Sequence, residues 1–241
     1  MSDASQKFAV FDIDGTLIRW QLYHAVVDKL AKTGALGDDA HKVIHDARMR
    51  WKRRVESDGF YEYEQVLIHL YDQAVAALDP KIFDTVTDQV IGEYKDQVYT
   101  YTRDLVKDLK NQGYTLLAIS GSQKELVAKI ADHYGFDDFV ATEYTRTKSG
   151  FSGEVTVASH DKKTALESLI QKHDLTTDHS WAVGDSKSDI AMLEMVDNPV
   201  AFNPDKKLFD EAQKQGWRVV IERKNMVYKL EQKHGIYTLS K

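Results

Sequence analysis

The sequence predicts an α/β domain, a parallel sheet with helices on both faces, interrupted after its first strand by a helical insertion. Three observations carry this expectation. The chain opens on the apolar run "FAVF" (Phe8 to Phe11), which ends at two aspartates one residue apart, Asp12 and Asp14. From about Trp20 to Tyr101 it reads as helix after helix. From Thr102 onward, short apolar runs alternate with amphipathic helices. Runs that are continuous rather than alternating mark strands buried on both faces, as in a parallel sheet covered by helices. The α/β domain is therefore expected over residues 1–19 and 102–241, and the insertion over 20–101.

Each element has a local reason. In the insertion, "EYEQVLIHLYDQAVAAL" places Val66, Leu67, Leu70, Ala74 and Leu78 near helical spacing. With three prolines in the chain, Pro80, Pro199 and Pro204, punctuation falls mainly to glycine, and Gly34, Gly37 and Gly59 separate the helical segments. Later strands are expected at Tyr114 to Ile119, Phe139 to Thr142, Ser180 to Val183, Pro199 to Phe202 and Trp217 to Ile221. The helices between them include "KELVAKIADHY" and "KTALESLIQKH", and "ATEYTRT" with "KSGFSGEV" reads as a small hairpin.

Composition narrows the function. The chain has 241 residues, 42% hydrophobic and 29% charged, as a globular protein does. A net charge of −6 gives no global positive field, which argues against nucleic acid as a partner and leaves room for a small anion at a local basic patch. There are no cysteines, so a metal must be held by oxygen or nitrogen. The polar start "MSDASQK" and the lack of an apolar run long enough to cross a bilayer predict a cytoplasmic protein without a membrane partner.

Ligands of open parallel sheets sit at the carboxyl ends of the strands. After the first strand comes "DIDGT", after the second "SGS", and after "SWAV" comes "GDSKSD". Singly, these read as a turn, a helix cap and a solvated first-turn acid. Together they bring carboxylates, hydroxyls and flexible glycines to one sheet edge. Two carboxylates as near as Asp12 and Asp14 repel, so either they sit in solvent at the strand end or something cationic is held between them.

The order "DIDGT", "ISGS", a lysine opening a helix, and "VGDSKSD" resembles the four signature motifs of the haloacid dehalogenase superfamily, and within it the phosphoserine phosphatase-like branch. The likeness extends over the α/β part, including "SGFSGEV" and "AFNPDKKLFDEAQKQGW"; the insertion matches in position and length. The resemblance implies a Rossmann-like fold with an α-helical cap, and a Mg²⁺-dependent phosphatase acting on a small phosphorylated metabolite. It implies Asp12 as nucleophile, forming an aspartyl-phosphate, and Asp14 as general acid and base. Thr16, Ser120 and Gly121 would bind phosphate, beside a helix N-terminus that favours an anion. Lys162 would supply fixed positive charge; the family's spacing from this lysine to a leucine, here Leu166, implies Lys162 rather than Lys163. Asp12, the backbone carbonyl of Asp14, Asp185 and, behind or beside it, Asp189 would hold Mg²⁺. Dehalogenases of the superfamily lack an acid at the position of Asp14, because a leaving halide needs no proton, so Asp14 points to an oxygen leaving group.

The cap would set substrate choice. "RMRWKRRVE" gathers Arg48, Arg50, Lys52, Arg53 and Arg54, either a solvated helix face or the source of a clamp, by position Arg54, for a carboxylate or second phosphate. The aromatics of "DGFYEYE" are expected to pack between helices. Phosphoserine phosphatases usually carry a glutamate where this chain has Gln21, Gly-Asp-Gly-x-Asn-Asp where it has "GDSKSD", and Ser-Gly-Gly where it has Ser120, Gly121 and Ser122. The chemistry survives these departures, while the substrate is left open. A phosphotransferase with the same residues also stays open, and so does a phosphate-binding module, although the latter would need no nucleophile with an acid beside it.

Overall fold

The computed structural model describes residues 6–56, 58–148, 150–157 and 160–240. In chain order the elements are β1 (Gln6–Phe11), α1 (Leu22–Lys32), α2 (Ala40–Lys52), α3 (Gly59–Ala74), α4 (Pro80–Tyr94), α5 (Thr100–Asn111) and β2 (Thr115–Gln123). There follow α6 (Lys124–Tyr134), β3 (Asp138–Arg146), β4 (Phe151–Thr156), α7 (Lys162–His173), β5 (Leu175–Gly184) and α8 (Ile190–Leu193). The chain ends with β6 (Asn198–Phe202), α9 (Lys206–Gln215), β7 (Arg218–Arg223), β8 (Met226–Lys233) and β9 (Ile236–Leu239). These elements form two compact units, the first comprising the chain up to Trp20, Tyr94–Thr142 and Val157 onward, the second Gln21–Glu93 and Glu143–Thr156.

In the first unit β1 lies at the centre, parallel to β2 on one side and β5 on the other; β3 adds beyond β2, and β6 and β7 beyond β5. Phe8 to Phe11 are fully buried, as a central strand covered on both faces requires. Leu166 and Leu169 of α7 and Leu208 and Ala212 of α9 share one apolar core with Val10, Leu117, Ala182 and Ala201 of the strands. The sheet then continues antiparallel through β8 and β9, which the apolar-run reading missed. Their half-exposed pattern lacks a continuous apolar run. The signal lay in the turns: Lys224 and Asn225, then His234 and Gly235, are two-residue connections, with φ of 55°, 51° and 79° at Lys224, His234 and Gly235.

Two boundaries move from their expected places. The first unit resumes at Tyr94 rather than at residue 102 because the segment before α5 pairs with the chain after β1: Arg19 N–H donates to Gln97 O (2.8 Å), and Tyr99 N–H to Leu17 O (3.1 Å). The second strand, expected to stop at Ile119, runs to Gln123, where pairing with β3 resumes at Thr142. Ser120 is thus a strand residue, and the expected helix N-terminus beside it begins only at Lys124.

The second unit packs α1 to α4 with the hairpin formed by the end of β3 and β4 (Glu143 opposite Thr156, Tyr144 opposite Val155), which the sequence places within the α/β domain of 102–241 and the structure assigns to the unit of the helical insertion. Its core is aromatic. On α3 the buried line is Tyr63, Leu67 and Tyr71, one residue to the side of Val66, Leu70 and Ala74. Trp51 stacks on Tyr63 (5.5 Å, 8°) and meets Phe60 edge-on, which places two of the "DGFYEYE" aromatics in packing; the third, Tyr61, is exposed, contrary to expectation. Tyr71 meets Tyr144, and Arg146 lies over Phe83 and Phe151 while pairing with Asp84, so the hairpin is bound to the helices by rings and one guanidinium.

Candidate active site

The site is built at the carboxyl edge of the first unit's sheet. Asp12 follows β1 and keeps its amide in the ladder, donating to Val183 O (2.9 Å). The chain then turns tightly: Leu17 and Ile18 N–H both donate to Ile13 O (2.9 Å), and Gly15 N–H donates to Ile18 O (3.0 Å). The turn needs φ of +82° at Gly15, where a Cβ would be strained. Asp12 and Asp14 are buried as a result, 6% and 8% exposed. Thr16 is buried too; its carbonyl accepts from the Thr102 hydroxyl (2.8 Å), while its own hydroxyl has no partner among the described residues.

At the end of β2, pairing with β3 skips from Ser120 to Gln123, so the amides of Gly121 and Ser122 leave the ladder. The Ser120 hydroxyl donates to Asp14 Oδ2 (2.7 Å) and accepts from Ser122 N–H (3.0 Å). In this structure it therefore orients the proposed acid, a contact absent from the sequence expectation for Ser120.

Lys162 opens α7, whose N-cap Asp161 accepts from Thr164 N–H (3.0 Å). All three ammonium protons are used: Nζ donates to Asp12 Oδ1 (2.6 Å), Asp189 Oδ1 (2.6 Å) and Ile119 O (3.1 Å). Burial works against its charge, but Asp12 and Asp189 outweigh it and hold the lysine protonated. Lys163, the neighbouring choice, is exposed.

Beyond β5 the loop folds around Asp189, which is fully buried. Asp189 Oδ2 accepts from Asp185 N–H (3.0 Å), Ser186 N–H (2.9 Å) and the Ser186 hydroxyl (3.1 Å). Only glycine fits at 184: a Cβ there would lie 2.4 Å from Asp189 Cβ and Cγ. Both Asp189 oxygens are thus engaged by the protein.

Asp12, Asp185 and Asp189 can bring carboxylate oxygens within 4.8 Å of one another. One lysine does not neutralise them. Burial, with Asp189 and Asp14 nearby, lifts Asp12 to about 7 although Lys162 pulls the other way. Burial and the charges of Asp12 and Asp189 likewise raise Asp185 well above the ordinary carboxylate range. A buried, under-compensated set of hard oxygen donors without sulfur or imidazole fits Mg²⁺. The Asp14 carboxylate is not in this set.

Arg54 belongs to the second unit. It is exposed at the end of α2 with φ of 52°, and its amide donates to Trp51 O (2.9 Å). The basic cluster around it divides: Arg48 is tied to Asp28 (2.6 Å) and the Tyr63 hydroxyl (3.2 Å), and Arg50 to Glu56, leaving Lys52, Arg53 and Arg54 in solvent. Sequence reasoning missed Ser186 and Gln123. Ser186 forms a capping box with Asp189, visible as Ser-x-x-Asp. Gln123 is fully buried, and its amide has no partner among the described residues; a polar residue after "SGS" was the sole hint.

The family model of the haloacid dehalogenase-like hydrolases matches residues 9–194, a span that holds every one of these motif residues. The chain belongs to that family. A probable phosphatase of Mycobacterium tuberculosis is 30% identical over 214 residues, 88% of this chain and 74% of its own. The phosphoserine phosphatase of Archaeoglobus fulgidus is 23% identical over 210 residues, 86% of this chain, and the match spans 55% of the archaeal protein. Among solved structures, a phospho-aspartyl intermediate analogue of phosphoserine phosphatase has the same fold, with a TM-score of 0.61 at 19% identity, covering 91% of this chain and 95% of its own. No helix among the described residues is long and apolar enough to cross a membrane.

Proposed function

We propose that this member of the family is a Mg²⁺-dependent phosphatase that hydrolyses a small-molecule phosphomonoester through an aspartyl-phosphate on Asp12. One observation carries the reading: Lys162 holds one oxygen of Asp12 in a buried acidic group, while Oδ2 accepts no hydrogen bond from the described residues. That oxygen attacks phosphorus as the ester P–O bond breaks, and Asp14, oriented by Ser120, gives its proton to the leaving oxygen. Water then attacks phosphorus, Asp14 takes its proton, and phosphate leaves with the Asp12 carboxylate restored. Lys162 stays charged throughout and offsets the negative charge of carboxylate and phosphoryl oxygens. Thr16 and, at the end of β2, Gly121 would complete the phosphate contacts. Asp12, Asp185 and the Asp14 carbonyl would hold Mg²⁺, with Asp189 behind them; the ion supplies charge neutralisation for in-line phosphoryl transfer.

The named activity of the archaeal relative, a phosphoserine phosphatase, supports a phosphomonoester of metabolite size. Arg54, an exposed guanidinium with no side-chain partner among the described residues, is our choice for a second anionic group on the substrate. Gln21, uncharged where phosphoserine phosphatases carry glutamate, counts against a substrate ammonium group. The test is hydrolysis of an aryl phosphate, then of phosphorylated amino acids, sugars, nucleotides and lipid head groups, with Mg²⁺ and with chelator. Acid quenching during turnover should trap phosphate on the peptide holding Asp12. Full activity in excess chelator, or label on another residue, would overturn the reading.

A further inference from the structure

The proposed cation ligand Asp185 stands on a loop that carboxylates grip from two sides. Asp189 takes the amides of Asp185 and Ser186 from within, as described above. From the other side Asp205, the residue before α9, donates its amide to Asp185 O (2.8 Å) and accepts from Lys187 N–H on Oδ2 (3.0 Å). Its Oδ1 meanwhile caps α9 by accepting from Leu208 N–H (2.7 Å). One residue therefore bonds both ends of the segment Asp185–Lys187 and ties it to a helix whose Leu208 and Ala212 are locked in the core.

A helix cap alone needs only Oδ1. The second oxygen and the amide are spent on the loop. The Asp185 carboxylate, by contrast, makes no hydrogen bond to the described residues, so its place is set by the backbone to which it is attached. We infer that Asp205 is a positioning residue for the divalent cation: it fixes the backbone of Asp185–Lys187 and so keeps the Asp185 carboxylate beside Asp12. This rests on the proposed Mg²⁺ chemistry. Groups that orient metal ligands without touching the ion typically change affinity 10- to 100-fold when removed.

Serine separates the two roles. It caps helices about as well as aspartate, but one hydroxyl cannot reach Leu208 N–H and Lys187 N–H together. In full-length Asp205→Ser, calorimetric titration with Mg²⁺ should give an affinity about tenfold weaker than wild type. Amide hydrogen exchange at Lys187, in metal-free protein, should speed up, while Leu208 stays protected. Asp205→Asn, which keeps the cap and loses the second carboxylate acceptor, should show the same pattern if the serine variant fails to fold. Wild-type Mg²⁺ affinity in either folded variant would overturn the inference and leave Asp205 as a helix cap. Wild-type protein that binds no Mg²⁺ at all would instead sink the functional reading on which the inference stands.

Discussion

The loop after β1 and the loop after β5 both deliver carboxylates to one buried group, yet different parts of the chain hold them. The first is held by main chain: the amides of residues 15, 17 and 18 close a turn on Ile13 and Ile18, and Asp12 stays in the ladder. The second is held mainly by side chains, Asp189 from within, Ser186 beside it and Asp205 from outside, with main-chain bonds from Asp205 N–H to Asp185 O and from Asp189 N–H to Ser186 O. Deleting a side chain from the first should therefore cost chemistry while sparing the fold. Deleting the Asp189 side chain from the second should cost both.

The sharpest break of that comparison sets Asp12→Asn against Asp189→Ala. Asp12→Asn keeps the shape of the residue, so kcat on an aryl phosphate should fall at least ~10³-fold while the melting transition stays near wild type. Asp189→Ala strips Lys162 of one buried partner and orphans the amides of Asp185 and Ser186. Breaking a buried pair in this way costs roughly 3–5 kcal/mol, read as a lower urea midpoint, and activity falls as well. Equal stability in the two variants would mean that the loops are held alike.

This difference also decides what was legible. "DIDGT" carries its geometry within five consecutive residues: strand, acids, the glycine with positive φ. The fold core was legible for a similar reason, since continuous apolar runs such as "FAVF" report burial on both faces directly. The grip on the second loop was not, because Lys187 and Asp205 are 18 residues apart and nothing local joins them. Arg48 to Arg54 shows the same limit in the second unit. Five basic residues look alike in sequence, and only packing separates Arg48, bound to Asp28 and Tyr63, from the exposed Arg54.

Glycine substitutions sharpen the comparison further. Gly184→Ala puts a methyl group 2.4 Å from Asp189 Cβ, an overpacking that costs about 1–3 kcal/mol. Gly15→Ala forces a side chain to φ of +82°, worth roughly 1–2 kcal/mol of backbone strain. The origins differ, so a double-mutant cycle tells them apart. The cost of Gly184→Ala should largely vanish in an Asp189→Gly background, which removes the clashing Cβ as well as Cγ, whereas that of Gly15→Ala should add to it unchanged. A Gly184→Ala penalty that survives loss of the Asp189 side chain would contradict the account of the second loop.

Ser186→Ala is the smallest of these changes. The hydroxyl is one of three protein donors to Asp189 Oδ2, at 3.1 Å the longest, and it lies 2.9 Å from the Ser188 hydroxyl. Its removal leaves both backbone amides on Asp189 and opens a half-buried position to water, so no buried polar group is orphaned. The expected loss is about 1 kcal/mol or less of stability, with Mg²⁺ affinity within about threefold of wild type. Lys162 binds the other oxygen of Asp189, Oδ1, so the proton inventory around Asp12 is untouched. A Ser186→Ala variant as damaged as Asp189→Ala would show that the hydroxyl, and not the two amides, fixes the carboxylate, and the second loop would then depend on a single side-chain contact.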